Sequence, residues 1–148
     1  DLKLIDRDLT ERAAVLAFSW SRMKVIDEHN LASQKRLAGL GFEDFLEALC
    51  RVAVMKAWPE DDDFEASECH DGMQYLSELK VRDAKAHKSM LIKRAVPWDG
   101  EPHLSTKRCV SHLIKGLVRA IESATSNSPN GKISTKEARE FKTNRALH

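Results

Sequence analysis

Cysteine is scarce in this chain of 148 residues: there are three, Cys50, Cys69 and Cys109, and none belongs to a CxxC pair. An odd and small number builds no disulfide framework in a chain of this length, so a reducing, cytoplasmic setting is expected. A surplus of one charge is lacking too. The 24 Lys and Arg residues nearly cancel 23 Asp and Glu, leaving +1, and no overall basic field draws in nucleic acid or membrane. Long apolar runs are absent. The longest early one, Ala13 to Phe18, is far short of the roughly 20 residues a membrane helix needs, and no signal-peptide pattern precedes it. Strand-like alternation is missing, as are GxSxG, P-loop and HExxH motifs, so nothing points to an enzyme. The first residue is Asp1 rather than Met, and the expectation is of a domain within a longer protein.

What is present suits an all-α domain. Apolar residues make up 42% of the chain, enough for the core of one domain spanning 1–148. Asp8 and Glu11 form a capping-box pattern ahead of Leu9, Ala13, Leu16, Trp20 and Met23, which predicts a first helix running to about Ile26. A polar link over 27–39 follows. LGFEDFLEALCRVAVMKAW then sets Phe42, Phe45, Leu46, Leu49, Cys50, Ala53 and Val54 on one broad face, a second helix stopped by Pro59. Residues 59–63 read as an acidic turn, after which Asp63 or Ser67 caps a helix carrying Met73, Leu76 and Leu79. Another short helix covers Arg82 to Ala95. VPWDGEP, with two prolines and a glycine, is a loop. From Ser105 or Thr106 to about Ala124, the spacing of Val110, Leu113, Ile114, Leu117, Val118 and Ile121 predicts a long helix facing a core. A last helix is expected over 134–145, with Phe141 its one large apolar anchor.

SNSPNGKISTKE, Ser126 to Glu137, carries the most specific pattern. Counted as a twelve-residue calcium loop, it puts Asn130 at position 5, Gly131 at 6, Ile133 at 8, Ser134 at 9 and Glu137 at 12. Positions 1 and 3 are Ser126 and Ser128, where Asp or Asn is usual, and the carbonyl of Lys132 falls at 7. Only Glu137 brings charge, so calcium held here is held weakly. KRLAGLGFEDFLEAL matches the second half of this pattern, since Leu40 and Asp44 have the spacing of Ile133 and Glu137. Its first half does not match. Counted from Asp27 the loop is eighteen residues, and counted back twelve from Asp44 it offers Ser33, Lys35 and Leu37 as ligands, which is no metal site.

On these residues the chain resembles a degenerate pair of EF-hands, of the calmodulin-like kind. The resemblance implies a first helix-loop-helix unit at 8–58, a helical insertion at 59–103 and a second unit at 104–148. It further implies a short two-stranded ribbon pairing Leu40 with Ile133. FEDFLEALCRVA, Phe42 to Ala53, is also similar to stretches in EF-hand-like proteins of protist flagella and cytoskeletons.

The function expected is calcium-independent binding of another protein, within a larger cytoskeletal or flagellar protein. The partner is an amphipathic helix or an acidic surface. An open lobe of this kind would present a groove of Phe18, Phe45, Leu49, Met55, Trp58 and Leu113, with Met73 at its edge, and the insertion either closes that groove or enlarges it. Basic residues on the long helix (Lys107, Arg108, Lys115, Arg119) and after it (Lys132, Lys136, Arg139, Lys142, Arg145) suit an acidic partner, but no aromatics interleave them as nucleic-acid binding would want. Two alternatives stay open. One is a weak calcium sensor using Ser126, Ser128, Asn130, Lys132, Ser134 and Glu137; the other is a small enzyme or ligand binder in the insertion, around Cys69, His70, His87 or His103. No cofactor is expected. Cys109 and His112 lie three apart on one helix face, yet match no known zinc pairing and read as packing.

Overall fold

The computed structural model describes residues 4–22, 27, 29–34, 39–65, 67–98 and 100–125. Among them are seven helices and no strand: α1 (Glu11–Trp20), α2 (Leu31–Gln34), α3 (Phe42–Met55), α4 (Asp61–Glu65), α5 (Gly72–Arg82), α6 (Ala84–Arg94) and α7 (Thr106–Thr125). The protein is helical as the periodicity predicts. The ribbon partner Ile133 and the helix expected over 134–145 lie outside the described residues.

Local sequence sets most starts, but the first is not where Asp8 implied. Thr10 caps α1 by accepting the Ala13 amide at 3.2 Å. Asp8 is instead buried, with its carboxylate 2.9 Å from the Lys56 ammonium and accepting the Ala57 amide at 2.9 Å. The Lys56 ammonium also donates to the Leu4 carbonyl at 3.1 Å. This long-range knot ends α3 at Met55, ahead of Pro59: Lys56 turns to ψ 140°, and no helix resumes before Asp61. α1 also stops short of Ile26. The Ser21 hydroxyl donates back to the Ala17 carbonyl at 2.5 Å and closes the helix after Trp20. Trp20, expected in the core row, is 65% exposed, while Leu9 and Ala17 are buried against Met55.

Asp71, rather than Asp63 or Ser67, caps α5, accepting the Gln74 amide at 2.9 Å. Asp63 serves the acidic segment, which is a helical turn; its carboxylate accepts the Glu60 amide at 2.8 Å just ahead of α4. Asp83 ends α5 and caps α6 through the Lys85 and Ala86 amides, both at 2.9 Å. The boundaries of α7 fall where its sequence predicts.

α3 packs against α7 and α1, and α5 packs against α6 and α7. The main core gathers Ala53, Ala57, Trp58, Leu76, Leu91, Cys109 and Leu113. Leu76 and Leu91 come from the stretch read as an insertion, so α5 and α6 share a core with α3 and α7. Gly116 permits the close approach of α5: a methyl there would collide with the Met73 side chain down to its Cβ.

Candidate functional site

The C-terminal end of α3 and the start of α7 are sealed together. Thr106 lines one cavity with Cys50 and Val54, and Leu49, Ala53, Leu113 and Leu117 share the main core. The helices therefore run antiparallel, and the first turns of α3 lie toward the C-terminal half of α7.

Along α3, Phe42, Leu46, Leu49 and Ala53 fall on one stripe at helical spacing. Ala53 is fully buried and Leu49 half-buried, whereas Leu46 is 45% exposed and Phe42 76% exposed. The cover thus runs out toward the N-terminal end of the helix. Phe45 flanks the stripe and is exposed as well. On α7 the same split runs around the helix. Cys109, Leu113 and Gly116 are buried, but Ile114, Val118 and Ile121, at i, i+4 and i+7, form an exposed stripe beside them. Their spacing predicted a core face, yet Ile114, Val118 and Ile121 are 40%, 46% and 46% exposed. Three large apolar side chains on each of two packed helices are thus partly open to solvent, and clusters of such side chains mark interaction sites.

The sequence-derived groove is divided by the structure. Met55, Trp58 and Leu113 are interior, no more than 5% exposed. Trp58 donates its indole N–H to the Ala53 carbonyl at 2.6 Å and stacks on His112, ring centroids 5.6 Å apart. Met73 lies beneath Gly116. Phe18 is half-buried on α1, with the Arg22 guanidinium 4.7 Å from its ring centre. Only Phe45 of the six is among the exposed side chains, since Leu49 is half-buried against the main core; the others exposed on α3 and α7 are Phe42, Leu46, Ile114, Val118 and Ile121. Periodicity found these residues, but not that they lack cover.

The loop residues Ser126, Ser128, Asn130, Lys132, Ser134 and Glu137 lie outside the described residues. Asp44, the counterpart of Glu137, is described: its carboxylate accepts the Gly41 amide at 3.0 Å at the start of α3. No cluster of three or more His, Cys, Asp or Glu side chains among the described residues is placed to hold a metal ion. Cys109 and His112 diverge, the thiol toward the Leu104 carbonyl and the imidazole into a stack between Trp58 and Phe64. Burial pushes the Cys109 thiol up; burial and the Glu78 carboxylate do the same at Cys69, the direction opposite to that of an activated thiol.

His70 and His103 line different cavities. His70 shares a half-polar one of about 280 Å³ with Asp61, Phe64, Arg108, Ser111, His112 and Lys115, while His103 borders a narrow crevice with Arg94 and Cys109. A third cavity, about 340 Å³ and mainly apolar, lies between Cys50, Val54, Met55 and Trp98.

Two of the four cations on α7 are engaged within the protein. Arg108 pairs with Asp61, and Arg119 holds the buried Asp71 through two bonds of 2.6 and 3.2 Å. Burial alone would raise the Asp71 carboxyl, but Arg119 and the Gln74 amide outweigh it and hold it below the usual carboxylate range. His112 is depressed by burial first and then by Arg108 and Lys115, and burial likewise depresses His87. No helix among the described residues is long and apolar enough to cross a membrane. No protein-family model, no curated protein and no solved structure matches the chain, so the exposed stripes of α3 and α7 carry the functional reading.

Proposed function

We propose that this chain is a calcium-independent protein-interaction module, a degenerate EF-hand pair within a larger cytoskeletal or flagellar protein. It accepts an amphipathic helix on the exposed stripes of α3 and α7 and performs no catalysis. The observation that carries this reading is the exposed pair of stripes, Phe42, Phe45 and Leu46 on α3 with Ile114, Val118 and Ile121 on α7. A partner helix with anchors at i, i+3, i+4 and i+7 matches such a surface, as helix-in-groove recognition requires. Lys115, exposed on α7 and unpaired among the described residues, favours an acidic flank on that helix. Support for the EF-hand scaffold comes from α1 and α3, which touch and are joined by a link whose described residues include the one-turn α2. Support for calcium independence comes from Asp44, whose carboxylate is engaged by a helix-start amide.

An NMR titration of the full chain tests this. The probe is an 18-residue amphipathic peptide of leucine and glutamate, added in chelator and again in 1 mM calcium. Saturable shifts confined to amides 42–49 and 114–121, equal in both buffers, are expected. Shifts centred elsewhere would remove the docking reading. Binding seen only with calcium, accompanied by a large Gly131 shift, would replace it with the calcium sensor.

A further inference from the structure

The half-polar cavity of about 280 Å³ beside α7 has walls from separate elements. Arg108, Ser111, His112 and Lys115 follow one another at i, i+3, i+4 and i+7, so a single face of α7 forms one side. Asp61 and Phe64 of α4, with His70 just ahead of α5, form the other. This is a different face of α7 from Ile114, Val118 and Ile121, and a ligand here needs no helix docked there.

The aromatic part of the wall is fixed from behind. His112 is stacked between Trp58 and Phe64, with ring centroids 5.6 and 5.3 Å away. Gly72, at the start of α5, makes room for that stack: a Cβ there would meet Trp58 at 2.7 Å and His112 at 3.3 Å. The cavity therefore combines ring surface from Phe64 and His112 with a hydroxyl at Ser111 and an exposed imidazole at His70.

Its charged groups are Arg108, Lys115 and Asp61, and Asp61 pairs with Arg108. Lys115 makes no ion pair among the described residues, so one positive charge is left over. Burial first, and then the fields of Arg108 and Lys115, depress the His112 imidazole, so both cations act on the same wall. A dianion gains more from two cations than a monoanion does, and a phosphoryl group brings three acceptor oxygens for the hydroxyl and imidazole donors. Small-molecule pockets run from about 300 to 1,000 Å³. At the bottom of that range, this cavity suits a phosphoryl group and one ring.

We propose that the cavity binds a small aryl phosphate monoester, its phosphoryl group between Arg108 and Lys115 and its ring against Phe64 and His112. Asp61 then competes with the ligand for Arg108.

Phenyl phosphate titrated into the full chain tests this by amide NMR, with phenol and inorganic phosphate as separate arms. Saturable shifts confined to residues 61–64, 70 and 108–115 are expected, with phenol and inorganic phosphate each binding at least tenfold more weakly. Lys115→Gln should weaken phenyl phosphate about tenfold, whereas Asp61→Asn, which frees Arg108, should tighten it about threefold. Both side chains are exposed, and a single urea transition checks that each variant is folded. No saturable binding, shifts centred outside the cavity, or undiminished affinity in Lys115→Gln would overturn the site. Phenol binding as tightly as phenyl phosphate would overturn the phosphoryl role, and inorganic phosphate binding as tightly would overturn the aryl one.

Discussion

The two ends of the α3–α7 pair are built alike and finished differently. At one end Ala53 and Leu113 are sealed by Leu76 and Leu91 from α5 and α6 and by the partly buried Leu4. Toward the other, Phe42 and Leu46 continue the α3 stripe at 76% and 45% exposure, and Val118 and Ile121 on α7 are each 46% exposed. Helical periodicity is the same at both ends. An apolar stripe therefore says where a helix wants cover, and only the neighbours say whether it has it.

Substitutions sharpen the contrast, and the largest effect belongs to the sealed end. Asp8→Ala leaves the Lys56 ammonium buried without its partner and should cost about 3–5 kcal/mol in urea unfolding. Restoring packing with Asp8→Leu and Lys56→Met together should recover most of it. Leu113→Ala, which empties a fully buried position, should cost about 2–5 kcal/mol by the same measurement. Gly116→Ala forces α7 off Met73. Overpacking of about 1–3 kcal/mol should outweigh the roughly 1 kcal/mol of helix propensity gained, and a stabilised variant would show that α5 yields there. At the open end, Val118→Ala should change stability by less than about 1 kcal/mol, since half of that side chain is already in water. A loss as large as that of Leu113→Ala would erase the distinction between the two ends.

The mildest effect is on pH. The folded state depresses His87 and His112, so the unfolded chain binds more protons as pH falls through about 6.5. Stability should accordingly decline from pH 7 to 5, and His112→Gln should flatten part of that slope. Asp71 acts lower. Its carboxyl is held below the usual range, so its contribution is full above about pH 4 and fades as pH drops through the folded value. Asp71→Asn should remove that acid-side loss.

Much of this architecture was legible in the residues. α7 announced itself by six apolar positions at helical spacing and a Ser-Thr start, and α3 by its broad face, because both signals are local. The loop at VPWDGEP followed from its prolines. The ends of α1 and α3 were not legible, because Asp8 reaches across 48 positions to Lys56 and 49 to Ala57, and no window around LIDRDLTE shows that. A free carboxylate near a helix start reads as a cap until its long-range partner is known. Asp71 was passed over for a related reason: its two roles, capping α5 and holding Arg119, become visible only when α7 is laid against it. The candidate face was half legible. Its residues were marked as apolar, but as core, and three of the residues expected to line a groove proved to be the core itself.

The measurement that bears most directly on the exposed stripes of α3 and α7 is peptide affinity and cooperative unfolding, taken together, for Phe42→Asp/Val118→Asp. As a docking surface, it predicts at least a tenfold loss of leucine–glutamate peptide binding in a protein that still unfolds in one cooperative transition. Unchanged peptide affinity in that folded variant would contradict it.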